Sequence, residues 1–135
     1  MSKPLDIAAA TQLAKDIHDQ VVAAGLPLQG LCATAAAILM DRLTAMGREP
    51  RHVMLRNAFG SWVHAFVWCD GLYIDPTWGQ FAEAEGEAPY RVSGLPPAVC
   101  YLTWGTFCTV HATELPPRWP EKHHPDTHMA AVMAA

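Results

Sequence analysis

Three residue types that together make a nucleophilic site occur in order along this chain. Cys32 stands in Gly30-Leu31-Cys32-Ala33-Thr34-Ala35, where a loop turns into an apolar helix, and His64-Ala65-Phe66 and Asp75-Pro76-Thr77 follow. A thiol at a helix start feels the positive end of the helix dipole and unpaired N–H groups, which favour its thiolate form. Thiolate attack on an acyl carbon gives a thioester that water or an amine then resolves. In that chemistry His64 takes and returns the proton, which its near-neutral ordinary pKa suits, and Asp75 fixes the ring tautomer and supports the charged ring. The backbone N–H of Cys32 is the first donor available to a developing oxyanion, and the side-chain amide of Gln29 is a candidate second donor.

Each residue also has a plain structural reading. Free cysteines are among the most buried residue types, a strand histidine can pack against a carbonyl, and Asp before Pro commonly forms a turn. The setting of Cys32 and the order of its partners favour chemistry. His18, His52 and His111 compete with His64 for the base role on weaker context. Cys69, Cys100 and Cys108 fall in strand-like runs and read as core. No CxxC pair exists among the four cysteines, so neither a zinc knuckle nor a thioredoxin-type redox site is expected, and neither metal nor organic cofactor is required. His123, His124 and His128 lie in a Pro-interrupted stretch without a matching ligand set.

The elements that must position these residues follow from hydrophobic periodicity. Leu5 to Ala24 carries Leu13, Ile17 and Val21 at helical spacing with Gly25 as a C-cap, which predicts an amphipathic helix. Leu31 to Met46 carries Leu31, Ala35, Ile38, Leu39, Leu43 and Met46 with Gly47 as terminator and few polar residues, so it is expected to lie centrally. His52 to Phe59 and Trp62 to Cys69 are rich in β-branched and aromatic residues and read as strands. Asp70-Gly71 is a preferred type I′ pair and folds Leu72 to Asp75 back on Trp62 to Cys69. Val99 to Trp104 and Thr106 to His111 read as a second hairpin around Gly105, and Ala82 to Pro89 as an exposed acidic loop. Helices first and an antiparallel sheet second define the α+β class.

The hairpin register decides whether His64 and Asp75 can meet. With Asp70 and Gly71 as the loop, Cys69 faces Leu72, and His64 and Asp75 become diagonal neighbours on one face, roughly 7 to 8 Å apart at the backbone. A three-residue loop would send Asp75 to the other face. Trp62, His64, Phe66 and Trp68 share His64's face, where a histidine can pack against the second helix; Val63, Ala65, Val67 and Cys69 share the other.

Composition bounds the function classes. A 135-residue chain that is 51% hydrophobic and 16% charged can bury one core, expected over residues 1–115, with residues 116–135 as a peripheral Pro- and His-containing tail. The net charge of −4 and the scattered Lys and Arg residues argue against a nucleic-acid partner. The N-terminus resembles neither a signal peptide nor a membrane span, so a cytoplasmic protein with no membrane partner is expected.

Gly30-Leu31-Cys32 leading a helix that closes over Leu43 to Gly47, His64-Ala65-Phe66 on a strand, and Gly71 to Asp75-Pro76-Thr77 together resemble the transglutaminase-like branch of the papain-like cysteine enzymes. The resemblance covers roughly residues 28–81. It implies a Cys-bearing central helix packed on an antiparallel sheet that supplies His and Asp, with Cys32, His64 and Asp75 matching nucleophile, base and orienting acid. The Cys, His, Asp order in a small chain is also similar to the leader peptidases of lasso-peptide pathways and to papain-fold bacterial toxins. The expected function is a peptidase, deamidase or transglutaminase-type acyltransferase acting on a peptide or protein, with Trp78 and Trp104 as exposed cleft residues. The alternative from another class is a catalytically silent module that grips a peptide or protein on the same fold; a redox or metal-sensing thiol protein is disfavoured by the absent CxxC.

Overall fold

The structure is a computed structural model that describes residues 3–25, 31–56, 62–80, 86–94 and 111–114. Helix α1 spans Ile7–Ala23 and begins where the Asp6 carboxylate accepts the Ala9 N–H at 2.7 Å, satisfying one of the orphan donors of a helix start. Its buried stripe is Ala10, Ala14, Ile17 and Val21, with Leu13 half-buried beside it, so the core-facing side is rotated slightly from the Leu13-Ile17-Val21 line. Lys15 and Asp19 pair at 2.6 Å on the outer face.

Helix α2, Cys32–Ala45, buries eight of its residues, Cys32 to Ala36 and Ile38, Leu39 and Leu43, as its apolar sequence requires. It ends in a Schellman motif. Gly47 takes φ +79°, and the N–H groups of Gly47 and Arg48 close on the carbonyls of Thr44 and Leu43 at 2.9 and 3.0 Å.

Five antiparallel strands form one sheet: β1 Arg51–Arg56, β2 Trp62–Cys69, β3 Leu72–Asp75, β4 Arg91–Ser93 and β5 His111–Glu114, in the order β4-β3-β2-β1-β5. The molecule is therefore α+β. Asp70 and Gly71 both adopt positive φ, +51° and +85°, the type I′ geometry that their dipeptide favours, and Cys69 pairs with Leu72, Trp68 with Tyr73 and Val67 with Ile74. The turn is also tied down from outside: the Asp70 carboxylate accepts the Leu5 N–H at 2.9 Å and pairs with Arg48.

Two features are open or unforeseen in the sequence. Ala65, Val67 and Cys69, with Leu72 and Ile74, pack into one core with both helices, so the helical layer covers the face opposite His64 and Phe66. Both faces of β2 are apolar, and the helices settle on the one whose smaller side chains admit close approach. Second, β4 and β5 lie outside every stretch that reads as a strand except for His111 itself; each is a short segment held by pairing with β3 or β1. The hairpin expected from Val99 to His111 otherwise lies outside the described residues, as does the tail at 116–135. No described helix is long and apolar enough to cross a membrane.

Candidate active site

β2 delivers His64 just after an irregularity in its pairing. Leu55 faces His64 but Arg56 faces Trp62, so one extra residue is accommodated in β2 at Val63. Bulges of this kind bend a strand locally and re-aim the side chains beside them. His64 is fully buried, stacked on Phe66 with ring centroids 5.7 Å apart.

The type I′ register places Asp75 as the sequence requires. Asp75 Oδ2 lies 2.6 Å from His64 Nε2. Its other oxygen, Oδ1, accepts the Thr77 N–H at 3.0 Å and the Thr77 hydroxyl at 3.4 Å. That is an Asx turn across Asp75-Pro76-Thr77. One carboxylate oxygen therefore makes the turn and the other meets the His64 ring. Asp75 and Thr77 are buried, so the carboxylate must be fully hydrogen-bonded, and it is.

Cys32, the first residue of α2, is 2% exposed, and its side chain hydrogen-bonds His64. Asp75 engages Nε2, and Nδ1, 3.3 Å from the Gln80 amide nitrogen, is the other ring nitrogen. Burial alone would push His64 down, but the Asp75 carboxylate and then Cys32 overcome it and raise the imidazole from 6.5 to about 10. At neutral pH this favours the charged ring beside the Asp75 carboxylate. The N-cap residue of α2, Leu31, makes no side-chain capping hydrogen bond.

Beside His64 and Asp75 stand Thr77 and Gln80, to which the sequence alone assigns no role in the site. Thr77 completes the Asx turn. Gln80, in the short 3-10 turn Trp78–Gln80, places its Nε2 3.3 Å from His64 Nδ1, 3.1 Å from the Thr77 carbonyl oxygen and 3.2 Å from Thr77 Oγ1. Five residues after Asp75 and beyond an Asx turn, Gln80 follows neither helical nor strand periodicity, so only the turn chemistry of Asp-Pro-Thr hints at it.

Trp78 is buried, not exposed: its indole N–H donates to Glu87 at 3.2 Å and the Arg91 guanidinium lies 4.8 Å over its ring. It lines a shallow hollow with Phe66, Tyr73, Asp75 and Arg91 on the face away from the helices. The ring is consumed in closing the Asp75 side of the site.

The competing residues sit elsewhere. Cys69 is a free, fully buried thiol that burial pushes up. His52 is lowered by burial, and His18 packs on Tyr90 at 6.0 Å. Gln29, Cys100, Cys108, Trp104 and the tail histidines lie outside the described residues. Among the described residues no group of three or more His, Cys, Asp or Glu side chains is arranged to hold a metal ion. No protein-family model matches this sequence, and no curated protein or solved structure matches it significantly.

Proposed function

We propose that the chain is a cysteine-dependent amide hydrolase or acyltransferase of papain-like, transglutaminase-like architecture, with Cys32 as nucleophile, His64 as acid and base, and Asp75 as orienting carboxylate. The observation that carries this reading is the buried chain of contacts from the Cys32 thiol through the His64 ring to Asp75, closed at 2.6 Å. The resemblance of the Cys, His and Asp motifs points the same way.

The steps follow from the geometry. The Cys32 thiolate attacks the acyl carbon, forming a C–S bond while the carbonyl electrons move to oxygen. The start of α2, where Cys32 is the first residue, supplies backbone N–H groups to that oxyanion. The imidazolium gives the proton on Nδ1 to the leaving amine as the C–N bond breaks, leaving a thioester. Water or a second amine then attacks the thioester, gives its proton to His64, and returns the thiolate. Asp75 keeps the ring aligned through both proton transfers without taking a proton itself.

A silent binding module remains the competing reading, and the 2% exposure of Cys32 is the observation in its favour. Iodoacetamide labelling near neutral pH separates the two. Cys32 modified well before Cys69, with Cys32→Ser abolishing peptide cleavage, ammonia release or incorporation of a fluorescent primary amine into a glutamine-containing protein, supports the enzyme. Uniform slow labelling of all thiols refutes it.

A further inference from the structure

Gln80 touches the Nδ1 edge of His64, and its contacts fix which way its amide points. A carbonyl oxygen only accepts, so the atom 3.1 Å from the Thr77 carbonyl oxygen is the amide nitrogen. That same nitrogen lies 3.2 Å from Thr77 Oγ1 and 3.3 Å from His64 Nδ1. Its two hydrogens therefore serve Thr77 and the ring. The remaining donors run in one consistent direction: the Thr77 hydroxyl to Asp75 Oδ1, and His64 Nε2–H to Asp75 Oδ2. The loop of bonds from Gln80 through Thr77, Asp75 and His64 back to Gln80 closes only when Nδ1 carries a lone pair.

We propose that Gln80 is a positioning residue that selects the Nε2–H tautomer of neutral His64 and opposes protonation of Nδ1. When Nδ1 gains a proton, the amide nitrogen faces a second donor. Turning the amide would present Oε1 to Nδ1–H, but it would also set Oε1 against the Thr77 carbonyl oxygen, so neither orientation satisfies all three contacts. The titratable groups facing the ring are Asp75 from β3 and Cys32 from α2, and both favour the charged form. Gln80 is the counterweight on the same nitrogen. It keeps the proton mobile between thiol, ring and leaving group instead of fixed on the ring. The proposal deepens the reading of Cys32 and His64 as a catalytic pair and rests on it for its consequence in turnover, while the tautomer itself is measurable without any substrate.

The test is the ring nitrogen spectrum of the full chain labelled with 15N-histidine, with His64 assigned by its loss in His64→Gln. Neutral His64 in the wild-type protein is expected to show a protonated Nε2 and a bare Nδ1. Gln80→Leu removes the donor and is expected to raise the His64 midpoint by about half to one pH unit, the span of one ordinary hydrogen bond. Gln80→Glu, which offers Nδ1–H an acceptor, is expected to raise it further. A protonated Nδ1 in the neutral wild-type ring overturns the proposal whether or not the variants fold, as does a midpoint unmoved in both variants. If the expected shifts are found in a protein whose Cys32 shows no acyl chemistry, the assignment of Gln80 stands and the enzymatic reading falls.

Discussion

Asp75→Asn keeps the shape of the side chain and removes its charge, so it isolates what the carboxylate does. The two oxygens of Asp75 each accept: Oδ2 from His64 Nε2–H at 2.6 Å and Oδ1 from Thr77 N–H at 3.0 Å. Asparagine has one carbonyl oxygen. Either the ring or the Thr77 N–H then faces an NH2 group, and the orphaned buried donor costs roughly 1 to 3 kcal/mol, read as a lower urea midpoint. The larger effect is on protonation. Burial is the strongest influence on His64 and it lowers the pKa; Asp75 is the main influence opposing it. Without that charge burial is opposed by Cys32 alone, and the ring falls well below its value of about 10. Cys32 then loses its cationic partner, and because burial also disfavours a thiolate, an ordinary thiol pKa of about 8.5 sets an upper bound of roughly 1% thiolate at pH 6.5. Because Cys32 is buried, its absolute alkylation rate also reports access, so the quantity to measure is the ratio of rates at pH 6.5 and pH 9.5. That ratio is expected to lie within about threefold of one in the wild-type protein and at or below ~0.01 in Asp75→Asn. A folded Asp75→Asn protein with the wild-type ratio would show that the carboxylate does not sustain the thiolate, and the triad reading would be abandoned.

Further outcomes follow from the same contacts. In Cys32→Ser, where no thiol titrates at the site, the raised His64 makes stability fullest below about pH 6.5 and lowers it by up to ~1.4 kcal/mol per unit as pH climbs toward the folded-state value; urea midpoints across pH 6 to 10 read this, and adding His64→Gln should flatten the slope. Cys69, buried and pushed up by its surroundings, is expected to react at least about tenfold more slowly than Cys32 at pH 7 by peptide mapping, and equal rates would deny Cys32 its activation. Gly71→Ala meets no atom within 4 Å but must hold φ +85°, so it should cost about 1 kcal/mol through backbone strain alone while leaving the Cys32 rate ratio unchanged. Leu39→Ala opens a cavity at the centre of α2 and should lower the unfolding free energy by about 2 to 5 kcal/mol, whereas an exposed change such as Lys15→Ala should leave the urea midpoint close to that of the wild-type protein.

The parts of this molecule that were legible in the sequence are those whose geometry is dictated locally. Asp70-Gly71 supplies the two positive φ values that fix a two-residue turn, and the turn fixes the parity that brings Asp75 to the face of His64. Gly25 and Gly47 stop their helices because each takes the left-handed conformation that ends a helix. What was not legible depends on distant partners. Arg91–Ser93 and His111–Glu114 are too short to show a period, and only their neighbouring strands make them strands. The choice of helix-covered face was undetermined because Trp62, His64, Phe66 and Trp68 are as apolar as Val63, Ala65, Val67 and Cys69. Trp78 was expected at the surface on composition alone, whereas Glu87 and Arg91, both later in the chain, hold it inside.

The two hydrogen-bonding roles of Asp75 bear on the proposed enzymatic reading. A turn before Pro76 needs one carboxylate oxygen, and Oδ1 satisfies it by accepting from Thr77. The second oxygen is then a buried lone-pair site that must be paired, and an apolar neighbour with a neutral turn residue would cost less than a desolvated carboxylate and imidazole held together. A module that only binds a partner has no use for that expense. A nucleophilic site does, because the ring must accept and release a proton with a fixed orientation while its charge is compensated. The dyad is also local, eleven residues apart across one hairpin, whereas Cys32 arrives from another element. Docking of α2 on the Ala65, Val67 and Cys69 face is therefore the non-local step that completes the site. The thiolate should appear only when the whole core has formed, which makes the pH dependence of Cys32 alkylation a readout of native packing as well as of chemistry.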